Sequence, residues 1–211
     1  MISTNEQLRQ EALVSLKGKW KLAIVTFFVF SIVSFILTNG NSRYLNLFNT
    51  NPIASGSLTL SSIILTGPLL LGIITFSLNI SRGLDAHFEQ LFNGFNDFIR
   101  SLGVYLLALL SVVAGTMCLI IPGIIVFLMF SQAFYILADN KEISVIDTLR
   151  ESERIMKGYK LKYLGLCLRF IPLIILSIVT LGIGFLWLIP YMHISSAKFY
   201  DNIKANPIEI E

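Results

Sequence analysis

Apolar residues run from Ser101 to Ala138 without a charged side chain, between Arg100 and Asp139. As one helix these 38 residues would extend about 57 Å at about 1.5 Å per residue, against a bilayer core of about 30 Å. A single span is therefore excluded. Gly115 and the pair Pro122-Gly123 lie near the middle. Proline lacks a backbone N–H and restricts the residue before it, so the run predicts a helical hairpin turning at Pro122 and Gly123. Four further apolar runs follow the same reading: Leu22–Thr38, Leu58–Ile80 with Gly67-Pro68 inside it, Tyr163–Val179, and Phe185–Tyr200 with Pro190 as a kink. The last two are joined by Thr180-Leu-Gly-Ile-Gly184, whose Gly182 and Gly184 mark a turn. Gly67-Pro68 reads as a kink supported by neighbouring groups or as a hinge.

Between these runs lie three amphipathic stretches. Ser3-Thr4-Asn5-Glu6 has the spacing of a capping box. Leu8, Ala12, Leu13, Leu16 and Trp20 then recur at helical spacing, with Arg9, Glu11, Lys17, Lys19 and Lys21 supplying a charged face. A positive segment before an apolar run resembles a signal peptide, but no small-residue cleavage pattern follows, and an uncleaved span is expected. Asn39–Ser57 is polar, with one charge at Arg43, and reads as a loop. In the second stretch, Asp85–Arg100, Phe88, Leu91, Phe92, Phe95, Phe98 and Ile99 predict one apolar helix face. The third starts at Ser144 with Asp147 and runs to Gly158; Ile143, Ile146, Leu149 and Met156 form a narrow apolar face among Arg150, Glu151, Glu153, Arg154 and Lys157. Residues 201–211 read as a polar, frayed tail.

The three stretches align on their glycines: Leu16-Lys-Gly-Lys-Trp20, Phe92-Asn-Gly-Phe95 and Met156-Lys-Gly-Tyr159. The expectation is a single polytopic domain of three repeat units, about 3–80, 85–138 and 144–200, each an amphipathic helix followed by two spans. Composition supports a membrane setting. Of 211 residues 55% are hydrophobic and 14% charged, where soluble domains average about 25% charged; mean hydropathy is +0.74. Continuous apolar runs favour helices over a barrel, whose strands would alternate. A net charge of +3 gives no reason to expect nucleic acid. Nearly every Lys and Arg falls on one side of the six predicted spans, and only Arg43 on the other. The positive-inside rule then places both termini and all three amphipathic helices in the cytoplasm. The predicted fold is thus an all-α membrane protein of six transmembrane helices, arranged as three hairpins, each preceded by a cytoplasmic amphipathic helix.

Polar groups at membrane depth are costly and often functional. Ser131, Gln132 and Tyr135 lie in the fourth predicted span, Arg169 is the one charge inside an apolar run, and His193 sits in the sixth. Gln132 reads as an interhelical hydrogen bond or a substrate contact. Arg169 reads as a snorkelling or ion-paired residue or as a ligand-anion site, and His193 as a packed residue or a proton relay. At the cytoplasmic interface Lys17, Lys19, Trp20, Lys21, Phe88, Phe92, Phe95, Arg150, Arg154 and Lys157 form candidate docking surfaces for lipid or a protein partner. No zinc-binding His pair, nucleophile elbow or phosphate-binding loop occurs. Cys118 and Cys167 both lie in apolar segments and suggest neither metal nor disulfide. No enzyme, cofactor or metal is expected.

Several segments resemble a known family: Leu16-Lys-Gly-Lys-Trp20, Ile121-Pro-Gly-Ile-Ile125, Ser131 to Asn140, Leu149-Arg-Glu-Ser152 with Met156-Lys-Gly158, and Thr180 to Gly184 through Ile189-Pro-Tyr191. Together they are similar to the bacterial membrane family catalogued as domain of unknown function 975, over nearly the whole chain. The resemblance implies a protein of the bacterial cytoplasmic membrane, from a Gram-positive organism, and carries no catalytic residues. The loop at 39–57 is longer than the family's pattern. Two functions are expected from these features: a non-enzymatic module that binds lipid, amphiphilic peptide or a protein partner in membrane homeostasis or stress tolerance, or a small transporter or transporter subunit for a small or amphiphilic solute.

Overall fold

The computed structural model describes residues 3–39 and 52–207. These residues contain helices and no strand: α1 (Asn5–Leu16), α2 (Trp20–Asn39), α3 (Pro52–Ser81), α4 (Gln90–Asn93), a 3₁₀ turn (Gly94–Asp97), α5 (Phe98–Cys118), α6 (Ile120–Phe130), α7 (Ala133–Asp139), α8 (Val145–Met156), α9 (Lys160–Leu168), α10 (Ile171–Val179) and α11 (Phe185–Ala205). Four stretches are long and apolar enough to cross a membrane: Ser62–Ser81, Gln90–Cys118, Ile120–Asp139 and Lys160–Val179. A fifth is reached when α1 and α2, bent by 101° to each other, are taken together as one span.

Two of the three predicted glycine motifs fold alike. Thr4 caps α1 through Gln7, α1 runs for 12 residues, and Leu16-Lys17-Gly18-Lys19 closes a turn with the Lys19 N–H on the Leu16 carbonyl at 3.0 Å. Ser144 caps α8 through the Asp147 N–H, α8 runs for 12 residues, and the Tyr159 N–H closes the corresponding turn on Met156 at 3.1 Å. Lys17 (φ −58°, ψ 127°) and Lys157 (φ −65°, ψ 123°) precede Gly18 (φ 79°) and Gly158 (φ 82°). Both are type II turns, which require a positive φ at the third position and hence glycine. Burial keeps the same register: Leu8, Ala12 and Leu16 on α1 correspond to Thr148, Ser152 and Met156 on α8.

The third motif departs. Asp85–Arg100 does not form one amphipathic helix, because α4 and the 3₁₀ turn are four residues each and Gly94 is right-handed, with φ −62°. Its backbone lies so close to α3 that a Cβ on Gly94 would stand 2.0 Å from the Pro68 carbonyl oxygen. Leu91 is buried, but Phe92, Phe95 and Ile99 of the predicted apolar face are exposed.

Other expectations shift with identifiable causes. The capping box belongs to Thr4 and Gln7, one residue later than predicted, and Ser3 instead accepts a hydrogen bond from Asn202 Nδ2 at 3.1 Å. The second apolar helix starts at Pro52, ahead of the predicted Leu58, so only residues 40–51 of the expected loop lie outside the described residues. The hairpin turns at Leu119 (φ −167°, ψ 156°), while Pro122 sits in the first turn of α6, where no intrahelical N–H partner is needed. Gly123 is a packing residue: a Cβ there would lie 2.3 Å from Thr116 Oγ1 across the hairpin. Pro68 and Pro190 lie inside helices that continue past them. The predicted fourth and fifth spans are each broken, at Ser131-Gln132 and at Arg169-Phe170. The second break follows from Pro172, which deprives the Leu168 carbonyl of its donor. Thr180–Gly184 turns as predicted, with Gly182 at φ 89°. Residues 201–205 are not a frayed tail but the last turns of α11. Residues 208–211 lie outside the described residues. The buried face of α8 is Thr148, Ser152, Ile155 and Met156, whereas Ile146 is exposed; small hydroxyl residues let α8 approach closely, and Ser152 Oγ donates to the Met129 carbonyl at 2.7 Å, ahead of the break in α6 and α7.

The C-terminal half of α11 forms the centre, with Ile194, Ala197, Phe199 and Ile203 fully buried against α1, α2, α3 and α9.

Candidate functional site

The break between α6 and α7 opens a wall. A partly open cavity of about 620 Å³ lies between α3, α5, this break, α9 and α11. Leu70, Ile74, Leu109, Val112, Phe127, Phe130 and Leu166 give it an apolar surface, and none of its lining residues is Asp, Glu, Lys or Arg. Small-molecule sites are of this kind: concave, of a few hundred Å³, apolar with few placed polar groups.

The polar groups in the lining are Tyr105, Ser131, Tyr135, Tyr163, His193 and Ser196, with the thiol of Cys167. Ser131 terminates α6, and its Oγ donates to the Leu128 carbonyl at 2.8 Å. Tyr135, on the first turn of α7, donates to the His193 carbonyl at 3.2 Å, joining α7 to α11. Tyr163 on α9 and Ser196 on α11 share a contact of 3.4 Å. The His193 ring packs on Phe27 of α2, 5.0 Å between centroids. Gln132 is fully buried behind Ser131; its Nε2 donates to Ser131 Oγ at 3.1 Å, and its Oε1 has no partner among the described residues.

Four of the five predicted intramembrane polar residues therefore gather here, three in the lining and Gln132 behind it. Arg169 does not: it caps the C-terminus of α9 as an exposed residue, outside the lining to which Tyr163, Leu166 and Phe170 contribute. Tyr163 and Ser196 are not among the candidate site residues of the sequence, where Tyr163 only opens the fifth predicted span and Ser196 is one of the polar residues near the end of the sixth. Tyr163 directly follows Lys162 and Ser196 lies two residues before Lys198, and the packing of α9 on α11 brings the two together.

A second constellation ties the charged ends of the helices together. Arg82, just after α3, donates from Nη1 to Asp139 Oδ1 at 2.6 Å and from Nη2 to Asp201 Oδ1 at 2.6 Å. The Asp201 hydrogen bond, opposed in part by burial and helped by Asp139, raises the guanidinium above its ordinary pKa. Asp139 also accepts from Lys204 Nζ and from the Tyr200 hydroxyl. Arg100 donates to the carbonyls of Asn140, Lys141 and Ile143 and pairs with Asp97. These contacts fix the ends of α3, α7 and α11 on one polar face. Of the predicted interface residues on that face, Lys17, Lys21, Arg150, Arg154, Lys157, Phe92 and Phe95 are exposed, while Lys19, Trp20 and Phe88 are half-buried. Lys19 Nζ donates to the Leu84 carbonyl at 2.8 Å. Arg154 pairs with Glu151 through two bonds of 2.7 Å, holding that carboxyl below its ordinary pKa. Among the described residues no three His, Cys, Asp or Glu side chains gather as metal ligands.

Apolar helices of spanning length, gathered around a cavity whose lining carries no Asp, Glu, Lys or Arg, are those of a helical membrane protein. The chain resembles the family described as protein of unknown function DUF975, which matches residues 108–207. That stretch is narrower than the resemblance read from the motifs, since Leu16–Trp20 lies outside it. Neither the curated proteins nor the solved structures compared with this chain give a match.

Proposed function

We propose that this chain is a non-enzymatic, polytopic protein of the bacterial cytoplasmic membrane that binds an amphiphile, a lipid or an amphiphilic peptide, in its intramembrane cavity, and so serves membrane homeostasis or stress tolerance. The observation that carries the reading is the cavity of about 620 Å³, apolar in its walls and edged by a few neutral polar groups. In the proposed topology α2 and α11 join the four long apolar stretches to give six spans in three hairpins, with both termini in the cytoplasm. Two facts support that orientation: the ion pairs of Arg82, Arg100 and Lys204 share one polar face, and the turns at Leu119 and Thr180–Gly184 carry no charge. The exposed Arg150, Arg154 and Lys157 would offer a protein partner its docking surface on that face.

A transporter reading is favoured by one observation. Both helix breaks, at Ser131-Gln132 and at Arg169-Phe170, contribute residues to the cavity wall, and broken helices at substrate sites recur in transporters. Photo-crosslinking separates binding at the cavity from general lipid contact. A diazirine-bearing fatty acyl probe should label peptides containing Tyr105–Val112 and Phe127–Tyr135 saturably, with competition by unlabelled amphiphile. Labelling spread over all apolar helices and resistant to competition would overturn the proposal.

A further inference from the structure

We infer that the cavity takes a neutral single-chain lipid, a hydrocarbon tail ending in an uncharged hydroxyl or ester head, in preference to a lipid with a phosphate head. The inference rests on the amphiphile reading above and narrows its ligand. The lining offers hydroxyls, an imidazole and a thiol, but no side chain of opposite charge to a phosphate or an ammonium group. An ion brought to such a wall loses hydration without a counter-charge, whereas a hydroxyl or ester needs only hydrogen bonds.

Those hydrogen bonds are on offer. Tyr163 and Ser196 face each other across a loose 3.4 Å contact that a head group could replace. Behind Ser131, the fully buried Gln132 has an amide oxygen without a donor. Buried polar atoms are seldom left so. Gln132 itself is outside the lining, so a head-group hydroxyl would dock on Ser131, the member of the pair that lines the cavity and whose Oγ accepts from Gln132 Nε2, at the break where α6 gives way to α7.

No cation reaches the lining: the buried Lys162 Nζ, without a hydrogen-bond partner among the described residues, lies 5.8 Å from the Tyr159 ring centroid and outside the lining, and four arginines and lysines are committed or exposed elsewhere. Arg169 is exposed and outside the lining. Arg9 lays its guanidinium on Phe170 and Tyr191, 5.2 Å and 5.8 Å from the ring centroids, and donates to the Tyr191 hydroxyl; it too is outside the lining. Arg82 and Lys204 are held by Asp139 and Asp201 on the polar face.

The test uses the full chain, delipidated in detergent, with radiolabelled monooleoylglycerol and oleoyl lysophosphatidic acid. These probes share one tail and differ by the phosphate. Wild type should bind monooleoylglycerol saturably and at least tenfold more tightly than its phosphorylated counterpart. Gln132→Leu should weaken the glycerol lipid at least threefold while the melting temperature holds, and Ala108→Trp, which fills the cavity, should abolish its binding. Val112→Phe, a smaller intrusion, serves if Ala108→Trp does not fold. Equal or tighter binding of lysophosphatidic acid would overturn the neutral-head inference and leave the amphiphile reading standing. Binding unchanged in Gln132→Leu would overturn the placement of the head group, and no saturable binding of either probe would overturn both readings.

Discussion

Adding a single methyl at Gly94 should be among the most damaging small changes available to this protein. A Cβ there would stand 2.0 Å from the Pro68 carbonyl oxygen and 2.8 Å from the Gly72 nitrogen. A carbon and a carbonyl oxygen in contact normally rest about 3.3–3.6 Å apart, so the 3₁₀ turn and α3 would have to separate by more than about 1 Å. Both neighbours are backbone, and no rotamer change relieves the overlap. Gly72 faces the reciprocal problem, with a Cβ placed 1.9 Å from the Leu91 carbonyl oxygen. A gap of about 1 Å forfeits up to about half of each dispersion contact along the seam, and overpacking costs about 1–3 kcal/mol or more. Gly94→Ala is therefore expected to destabilise by about 3 kcal/mol, a change of about 100-fold in the folding equilibrium. Gly165→Ala is the control. Its Cβ meets only Asn5 Nδ2 at 3.3 Å, a side-chain end that must give by about 0.1–0.3 Å against ordinary contact while keeping its hydrogen bond to the Lys162 carbonyl, and alanine gains up to about 1 kcal/mol of helix propensity. Thermal unfolding in detergent, followed by tryptophan fluorescence, should show a large fall for Gly94→Ala and little change or a rise for Gly165→Ala. Equal melting temperatures for the two variants would refute the close approach of the 3₁₀ turn to α3.

Four further outcomes follow from the structure. Gly18→Ala and Gly158→Ala should each cost about 1 kcal/mol, because both positions need a positive φ, and at Gly18 no atom stands within 4 Å of the added Cβ; a large difference between them in denaturant unfolding would break their equivalence. Asp139→Asn should cost about 1–2 kcal/mol, between the ranges for surface and buried pairs, since its side chain is 14% exposed and Arg82 31%. Glu151→Gln, whose partner Arg154 is 67% exposed, should change stability by under about 0.5 kcal/mol in the same denaturation assay. In a variant freed of its native cysteines, Lys157→Cys should react with an impermeant maleimide only in inside-out vesicles and Leu181→Cys only in intact cells; the reverse pattern would invert the topology.

How far the sequence disclosed this protein depends on whether a feature is written locally. The Ser144 cap and the turns at Gly18, Gly158 and Gly182 are local, and the residues that form them announce the geometry, while the first cap is legible to within one residue, expected at Ser3 and formed by Thr4. Gly94 carries the same signature as Gly18, but a close approach to Pro68, some 26 positions away in the chain, decides its conformation. The same limit applied to the cavity. Ser131, Gln132, Tyr135 and His193 stood out because polar groups are costly in an apolar run, and all four sit at or just behind the lining. Tyr163 and Ser196 sat near charged segments where polarity costs nothing, so no signal marked them. Arg169 stood out for its charge, yet it is exposed at the end of α9, outside the lining that Leu166 and Phe170 share. The Arg82, Asp139, Asp201 and Lys204 cluster was invisible because its members come from three distant helix ends.

Native mass spectrometry of the protein released from mild detergent addresses the amphiphile cavity most directly. Wild type should carry one retained lipid per chain, and Ala108→Trp or Val112→Phe, folded by its melting curve, should have lost it. A lipid-free wild type, or an adduct unchanged when the cavity is filled, would contradict the account.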